Sequence, residues 1–390
     1  LNDLHFNDPL FNMATVLVAG IIGGELFAKI KLPKVTGWIA TGILLRQLNL
    51  PGMDTSVDPL VMNKFLPYMN FVLGFIAFTV GGSLYFNSLR NTGKRIGLLL
   101  LGEMLITPLI VGLTMFYVGG WISPEQMTLQ PAILLAAIAV AGAPGTTVLV
   151  IQESRARGIL TRTLLAAIGL IDMVAVATFV FVATFLSEDK GVVAGLTDVG
   201  IQFVVTFGIG TLCAVAAVTL VRTIVKPAFL GPLMVAVVLG AWGAAAGFGT
   251  SGGILACTFA GIVLTNLRHD LVRAGEAYLT SIGGVLFALF FTLAGMKLDF
   301  TKVPLALGLV LLYFVARLVA KYVSAFSSMS FSGVTENVRN YLGLALLPHG
   351  GVAVGLILLV EASPNFTDDI NATVTTVGLA ALAINQLLGP

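Results

Sequence analysis

The sequence predicts an all-α polytopic membrane protein: thirteen transmembrane helices in two inverted repeats, with two crossing broken helices. Composition, the length of the apolar runs and the placement of charge each point to it. Of 390 residues, 57% are apolar, 10% are charged and 44 are glycine, and the mean hydropathy is +0.99; a soluble domain carries about 25% charge. Apolar runs of roughly 20 residues, the length that crosses the hydrocarbon core as a helix, recur along the whole chain. They are too long for barrel strands, and in lipid each must satisfy its own backbone polar groups.

The runs lie approximately over residues 10–30, 35–49, 64–86, 95–119, 132–152, 159–186, 200–224, 230–248, 251–267, 279–297, 303–327, 339–361 and 371–388. Charged residues or clusters of Pro, Gly and Asn separate them. Lys29, Lys31 and Pro33 close the first, Arg46 and Pro51-Gly52 the second, and Arg90-Asn91 the third. The fourth ends at Gly119-Gly120, and Arg155 and Arg157 follow the fifth. Glu188-Asp189-Lys190 closes the sixth and Lys226-Pro227 the seventh; Gly249 separates the eighth from the ninth. The segment Arg268 to Tyr278 reads as an amphipathic connector at the inner surface, leading into the tenth. Lys297 and Lys302 bound the gap before the eleventh, and Asp368-Asp369 precede the last.

Charge tests this count, because Lys and Arg concentrate on cytoplasmic loops. With the N-terminus outside, the internal loops hold fourteen of the twenty-one basic residues, among them Lys34, Arg95, Arg162, Arg222 and Arg339; the external side holds most of the acids. The C-terminus then lies inside. No soluble domain is expected within these residues. A net charge of +2 without a basic block leaves no footprint for nucleic acid. Cys213 and Cys257 lie in apolar runs without metal or redox spacing and read as packing residues. No basic n-region precedes the first run, so targeting is expected to reside in the spans themselves.

Five charges remain inside spans: Glu25, Glu103, Asp172, Arg317 and Lys321. Each costs roughly 2.5 to 3.5 kcal/mol at mid-helix on translocon scales, so such residues face a cavity, pair with one another, or both. Glu25 is near the cytoplasmic end of its span and close to Lys29, and reads as half of a surface pair. Asp172 has no charged neighbour in Leu170-Ile171-Asp172-Met173-Val174, so its partner comes from another helix. Arg317 and Lys321, four residues apart on one face of span eleven, are the candidate partners, and Glu103 in span four is the second acid. A purely structural network is the alternative, although buried pairs seldom add stability over apolar packing. Burial favours the neutral form of a carboxylate and a nearby ammonium the charged form. A carboxylate between the two is suited to exchanging a proton for a cation. A hard monovalent cation takes oxygen ligands, which Asp172, nearby hydroxyls and freed carbonyls offer.

Span five contains Ala141-Gly142-Ala143-Pro144-Gly145-Thr146-Thr147, and span twelve contains Leu347-Pro348-His349-Gly350-Gly351. Proline and glycine inside both runs predict unwound segments whose freed backbone groups face the membrane midplane; a simple kink is the plainer alternative for either one. Spans one to six and eight to thirteen, joined by span seven, have equal helix numbers and opposite starting sides. Span five then corresponds to twelve and four to eleven, the inverted-repeat layout of a secondary transporter. The breaks are expected to cross beside Asp172. His349 either titrates or caps freed backbone groups, and Thr146 and Thr147 either ligate the ion or satisfy backbone.

Several segments, in order along nearly the whole chain, resemble the cation:proton antiporter superfamily of bacterial sodium/proton antiporters and Kef-type potassium/proton systems. Leu32-Pro33-Lys34-Val35-Thr36-Gly37 with Thr41-Gly42-Ile43-Leu44, Ala143 to Glu153 with Gly158-Ile159-Leu160-Thr161, Phe259-Ala260-Gly261, Phe290 to Asp299, and Leu347 to Ala353 carry the resemblance. It places the ion-binding aspartate on Asp172 and the lysine of span eleven on Lys321, with Ala320 where a glycine is usual. The chain departs from the pattern at Ile171-Asp172, where relatives carry Asp-Asp, Asn-Asp or Gln-Asp, and at His349, where arginine is frequent. One acid remains where electrogenic relatives have two.

The resemblance implies a secondary-active monovalent cation:proton antiporter, for Na+ or K+ and H+, that is not an enzyme and needs no cofactor. Asp172 then binds the cation or a proton, and Lys321 pairs with Asp172 in one state. It also implies one membrane domain over residues 1–390, in which a core bundle (about 95–186 and 303–390) moves by alternating access against a dimerisation scaffold (about 10–86 and 230–297), joined by a linking helix (about 200–224). A homodimer in a bacterial cell membrane follows from the same likeness. Two other readings stay open: a Kef-like potassium/proton system with a regulatory domain beyond Pro390, and an ion-sensing membrane module without coupled transport.

Overall fold

The computed structural model describes residues 9–30, 32, 34–48, 59–82, 85–86, 93–143, 147, 151, 155–187, 192–297, 303–363 and 365–389, and every regular element among them is helical. The helices are α1 (Pro9–Lys29), α2 (Lys34–Leu48), α3 (Pro59–Gly82), α4 (Gly93–Thr114), α5 (Leu129–Ile138), α6 (Ile159–Ser187), α7 (Val192–Thr223), α8 (Leu230–Ala245), α9 (Gly249–Leu267), α10 (His269–Lys297), α11 (Val303–Ser330), α12 (Glu336–Ala345), α13 (Gly351–Ala362) and α14 (Asp368–Leu388). Among the described residues, seven helical stretches are long and apolar enough to cross a membrane: Leu10–Lys29, Gly93–Ile122, Ile159–Leu186, Gly200–Thr223, Leu230–Phe248, Tyr278–Met296 and Ala306–Ser330. Large apolar side chains such as Leu10, Trp121, Val204, Leu212 and Ile224 stand exposed on the outside, a surface that water does not tolerate and lipid does.

Two groups of helices meet along an apolar seam. In the first, α2 packs on α10 and α1, and α3 packs on α9, which in turn holds α7 and α8. Glycine permits both main crossings. A Cβ on Gly42 would stand 2.0 Å from the carbonyl oxygen of Thr292, and one on Gly295 2.2 Å from that of Ile39. A Cβ on Gly261 would stand 2.2 Å from the carbonyl oxygen of Phe78, and one on Gly81 2.1 Å from that of Thr258. The backbones touch, and dispersion over the full crossing replaces the hydrophobic drive that lipid does not supply.

The second group is built on α4 against α11, with α5, α6, α12 and α14 around them. Leu73 and Ile76 of α3 and Ile254 of α9 meet Val176 of α6 and Val352 and Leu356 of α13 along the seam, around a small void. α4 keeps Pro108 in its interior and continues through a π turn at Met115–Gly119 to a last turn at Gly120–Ile122.

Two surface expectations change in detail. Glu25 pairs with Lys34, across the turn into α2, rather than with Lys29, and both partners are exposed. The segment after Arg268 is no separate connector: it forms the first turns of α10, continuous from His269 to Lys297. The stretch lacks proline, so nothing interrupts the helical hydrogen bonds where the chain enters the apolar run. Arg268 bonds Asp270 at 2.7 Å, and that guanidinium holds the Asp270 carboxyl below its ordinary value.

Candidate functional site

Where α5 ends at Ile138, the chain leaves the helix over Ala139 to Ala143. Proline has no N–H, so Pro144 offers none to the carbonyl four residues earlier, that of Val140. The freed carbonyls are nevertheless all taken. Ile138 faces His349 Nε2 at 3.3 Å, Ala139 accepts from Arg317 Nε at 3.1 Å, and Val140 accepts from Lys321 Nζ at 2.6 Å. Ala141 accepts from Arg317 Nη2 at 2.7 Å, and Gly142 accepts from the amide of Gly350 at 2.9 Å. One turn back, Leu135 accepts from the Tyr313 hydroxyl at 3.2 Å.

Three of these donors, Tyr313, Arg317 and Lys321, are spaced four residues apart on α11 and therefore share one helix face. All three are fully buried. A buried carbonyl without a donor costs about 1 to 3 kcal/mol, so the face that neutralises the break also holds it open.

The second break runs from Leu347 to Gly350, between α12 and α13. Arg317 Nη1 donates to Leu347 O at 2.6 Å. With its amide oriented to satisfy both neighbours, Asn385 of α14 also donates to Leu347 O, at 2.7 Å, and accepts from Arg317 Nη1 at 3.2 Å. Gln386 donates to His349 O. The breaks cross at glycine: a Cβ on Gly350 would lie 2.7 Å from that of Ala143.

The acids occupy two separate places. Asp172 Oδ1 accepts from the Gly142 amide at 2.7 Å, while Oδ2 is buried with no donor among the described residues. Glu103 Oε2 accepts from Lys321 Nζ at 2.7 Å and from Thr107 Oγ1 at 3.0 Å; its Oε1 has no donor among the described residues. Asp172, Glu103, Arg317 and Lys321 all have zero solvent exposure. The expected Asp172–Lys321 ion pair is therefore absent from this state, and Lys321 pairs with Glu103 instead. The cause is local. Gly102 precedes Glu103 at the α4–α11 contact, where a Cβ would stand 2.1 Å from Ser328 Oγ and 3.3 Å from the backbone oxygen of Ser324. That close approach carries the Glu103 carboxylate to Lys321.

The structure thus brings Asp172, Glu103, Arg317, Lys321, His349, Gly350 and the first break into one buried cluster, with Pro348 in the second break. Thr147 is also buried; its amide bonds Ala143 O at 3.0 Å and its Oγ1 has no partner among the described residues. Pro144, Gly145 and Thr146 lie outside the described residues. Tyr313, Asn385 and Gln386 belong to the cluster and were not foreseen. Tyr313 sits one turn before Arg317, and Asn385-Gln386 is a polar pair that interrupts the apolar stretch 377–388; both signals are present in the sequence. Among the described residues no group of three His, Cys, Asp or Glu could hold a metal ion.

The fold is shared with the sodium proton antiporter MjNhaP1 from Methanocaldococcus jannaschii. The TM-score is 0.77 at 17% identity, over 97% of this chain and 95% of that one. A second structure of that protein, from electron microscopy, gives 0.74 at 16% identity over 96% and 93%. No curated protein matches the chain. The family model for the transmembrane sodium/hydrogen exchanger matches residues 13–388. By that match the chain belongs to the sodium/hydrogen exchanger family, which makes it an integral membrane cation:proton antiporter and not an enzyme.

Proposed function

We propose that the protein exchanges sodium for a proton at Asp172 by alternating access. The observation that carries this reading is the state of the Asp172 carboxylate among the described residues: one oxygen is fixed by the Gly142 amide, the other is buried with no donor, and no basic group bonds either one, whereas Glu103 is paired with Lys321. A carboxylate oxygen without a donor takes a proton or a cation. The carbonyls of residues 138–142 are already occupied by donors, so the oxygen set for the ion starts from Asp172 Oδ2 and Thr147 Oγ1, both without a donor among the described residues.

Thirteen spans in two inverted repeats account for the packing. Exchanging span two with nine and three with ten turns the α2–α10 contact into α9–α3; exchanging five with twelve and six with thirteen turns α5–α14 into α12–α6; α4–α11 maps onto itself. All of these pairs are in contact. The core (about 95–186 and 303–390) would move against the scaffold (about 10–86 and 230–297) along the apolar seam, where sliding breaks no ion pair among the residues that line the void. The loop charges favour the N-terminus outside and the C-terminus inside. A homodimer in a bacterial cell membrane completes the reading.

The test is exchange in proteoliposomes with an internal pH dye, under an imposed proton gradient, with sodium, potassium or lithium added in turn. Sodium-dependent dissipation that Asp172→Asn loses is the expected result. Dissipation by potassium alone would replace the cation, and silence from folded protein would overturn antiport.

A further inference from the structure

Among the described residues Lys321 is the only ammonium in the cluster, and it is held from two sides. Its Nζ sits 2.7 Å from Glu103 Oε2 and 2.6 Å from the carbonyl of Val140. Asp172 is held two residues further along the same break, by the amide of Gly142. The break therefore separates a closed pair, Glu103 with Lys321, from an open carboxylate, Asp172. Arg317 lies on carbonyls of both breaks and bonds neither acid among the described residues.

Charge counting gives this separation a consequence. With both acids ionised and both bases charged, the four groups sum to zero. Adding a proton to Asp172, or a monovalent cation beside it, raises the sum by the same single unit. The two loaded forms then cross the membrane carrying equal charge, and the cycle moves no net charge. Were Lys321 paired with Asp172, the arriving cation would have to displace the ammonium. If Lys321 released its proton on displacement, and the returning form carried a proton on both Lys321 and Asp172, that form would hold one more unit of charge than the cation-loaded form and the cycle would be electrogenic.

We infer that Glu103 is a positioning residue for exchange: by holding Lys321 off Asp172 it keeps Asp172 free for the cation and sets the exchange at one cation for one proton, without net charge movement. This rests on the reading of Asp172 as the exchanging group. Glu103 touches neither ion; it acts through Lys321, which without it turns to the nearest remaining carboxylate and competes with the cation there.

The experiment uses the full chain in proteoliposomes, with an internal pH dye, a membrane-potential dye and sodium as the probe. Wild-type exchange is expected to develop no membrane potential. Glu103→Gln is expected to raise the sodium KM by about tenfold or more, a usual size for coupling between sites. The double variant Glu103→Gln/Lys321→Gln, which removes the pair and keeps the buried charge balanced, is expected to return the KM to within about twofold of wild type. A potential generated by wild-type exchange overturns the inference, as does a double variant that keeps a raised KM or a Glu103→Gln protein with wild-type KM. A purely structural Glu103 would lower the amount of folded protein and leave the KM of the remainder unchanged. Failure of antiport itself looks different: wild type would then show no sodium-dependent proton flux at all, whereas failure of this inference leaves that flux intact. If Glu103→Gln does not fold, the wild-type potential and the double variant still decide.

Discussion

The amide of Gly142 donates to Asp172 Oδ1 at 2.7 Å, and this single bond ties to the break after α5 the cluster carboxylate that no basic group among the described residues bonds. Asn keeps an oxygen at that position, so Asp172→Asn retains the bond and loses only the group that takes a proton. We expect it to fold, to unfold within a few degrees of wild type in detergent, and to have no sodium-dependent proton flux. Wild-type flux from the folded variant would exclude Asp172 as the exchange site.

The Glu103–Lys321 pair predicts a specific order of stabilities. Removing one partner of a buried pair leaves an uncompensated charge and costs about 3 to 5 kcal/mol, whereas replacing both is often close to neutral. Lys321→Met should therefore be less stable than Glu103→Gln/Lys321→Met, as read by denaturation in detergent micelles. Equal stabilities would mean that the pair is already broken in wild type.

Gln386 closes the account of the second break by donating to His349 O. Gln386→Leu fills a similar volume and leaves that buried carbonyl without its donor, at a cost of about 1 to 3 kcal/mol. Gln386→Glu offers an oxygen in place of the donor and should be no milder. A thermal midpoint unchanged by both would show that the carbonyl has another partner.

Gly261 lets α9 lie against α3. The Cβ of Gly261→Ala would stand 2.2 Å from the carbonyl oxygen of Phe78 and 2.7 Å from the amide nitrogen of Gly82. These are backbone atoms and cannot turn aside, so overpacking of about 1 to 3 kcal/mol is expected. Gly284→Ala, where a Cβ meets nothing within 4 Å, is the control and should leave the midpoint in place.

The membrane class, the apolar runs, the two breaks and the charges inside apolar runs are legible in the amino-acid order alone. These are local properties: the bilayer reads hydropathy span by span, proline removes its own N–H, and a charge in an apolar run is conspicuous without any partner. Asp172, Glu103, Arg317, Lys321 and His349, each conspicuous in the sequence, all enter one buried cluster. Which acid Lys321 meets was decided only by the tertiary structure. Asp172 and Glu103 are both acids inside apolar runs, and no spacing ranks one over the other. The choice follows from the close approach of α4 to α11 at Gly102 and from the carbonyl of Val140, which Pro144 frees. Together they fix the ammonium beside Glu103. The same holds for the freed carbonyls, which read from sequence as ion ligands. Packing gives them to Arg317, Lys321, His349 and the Gly350 amide, because a buried acceptor takes the nearest donor the fold supplies, and among the described residues that leaves Asp172 Oδ2 without a donor.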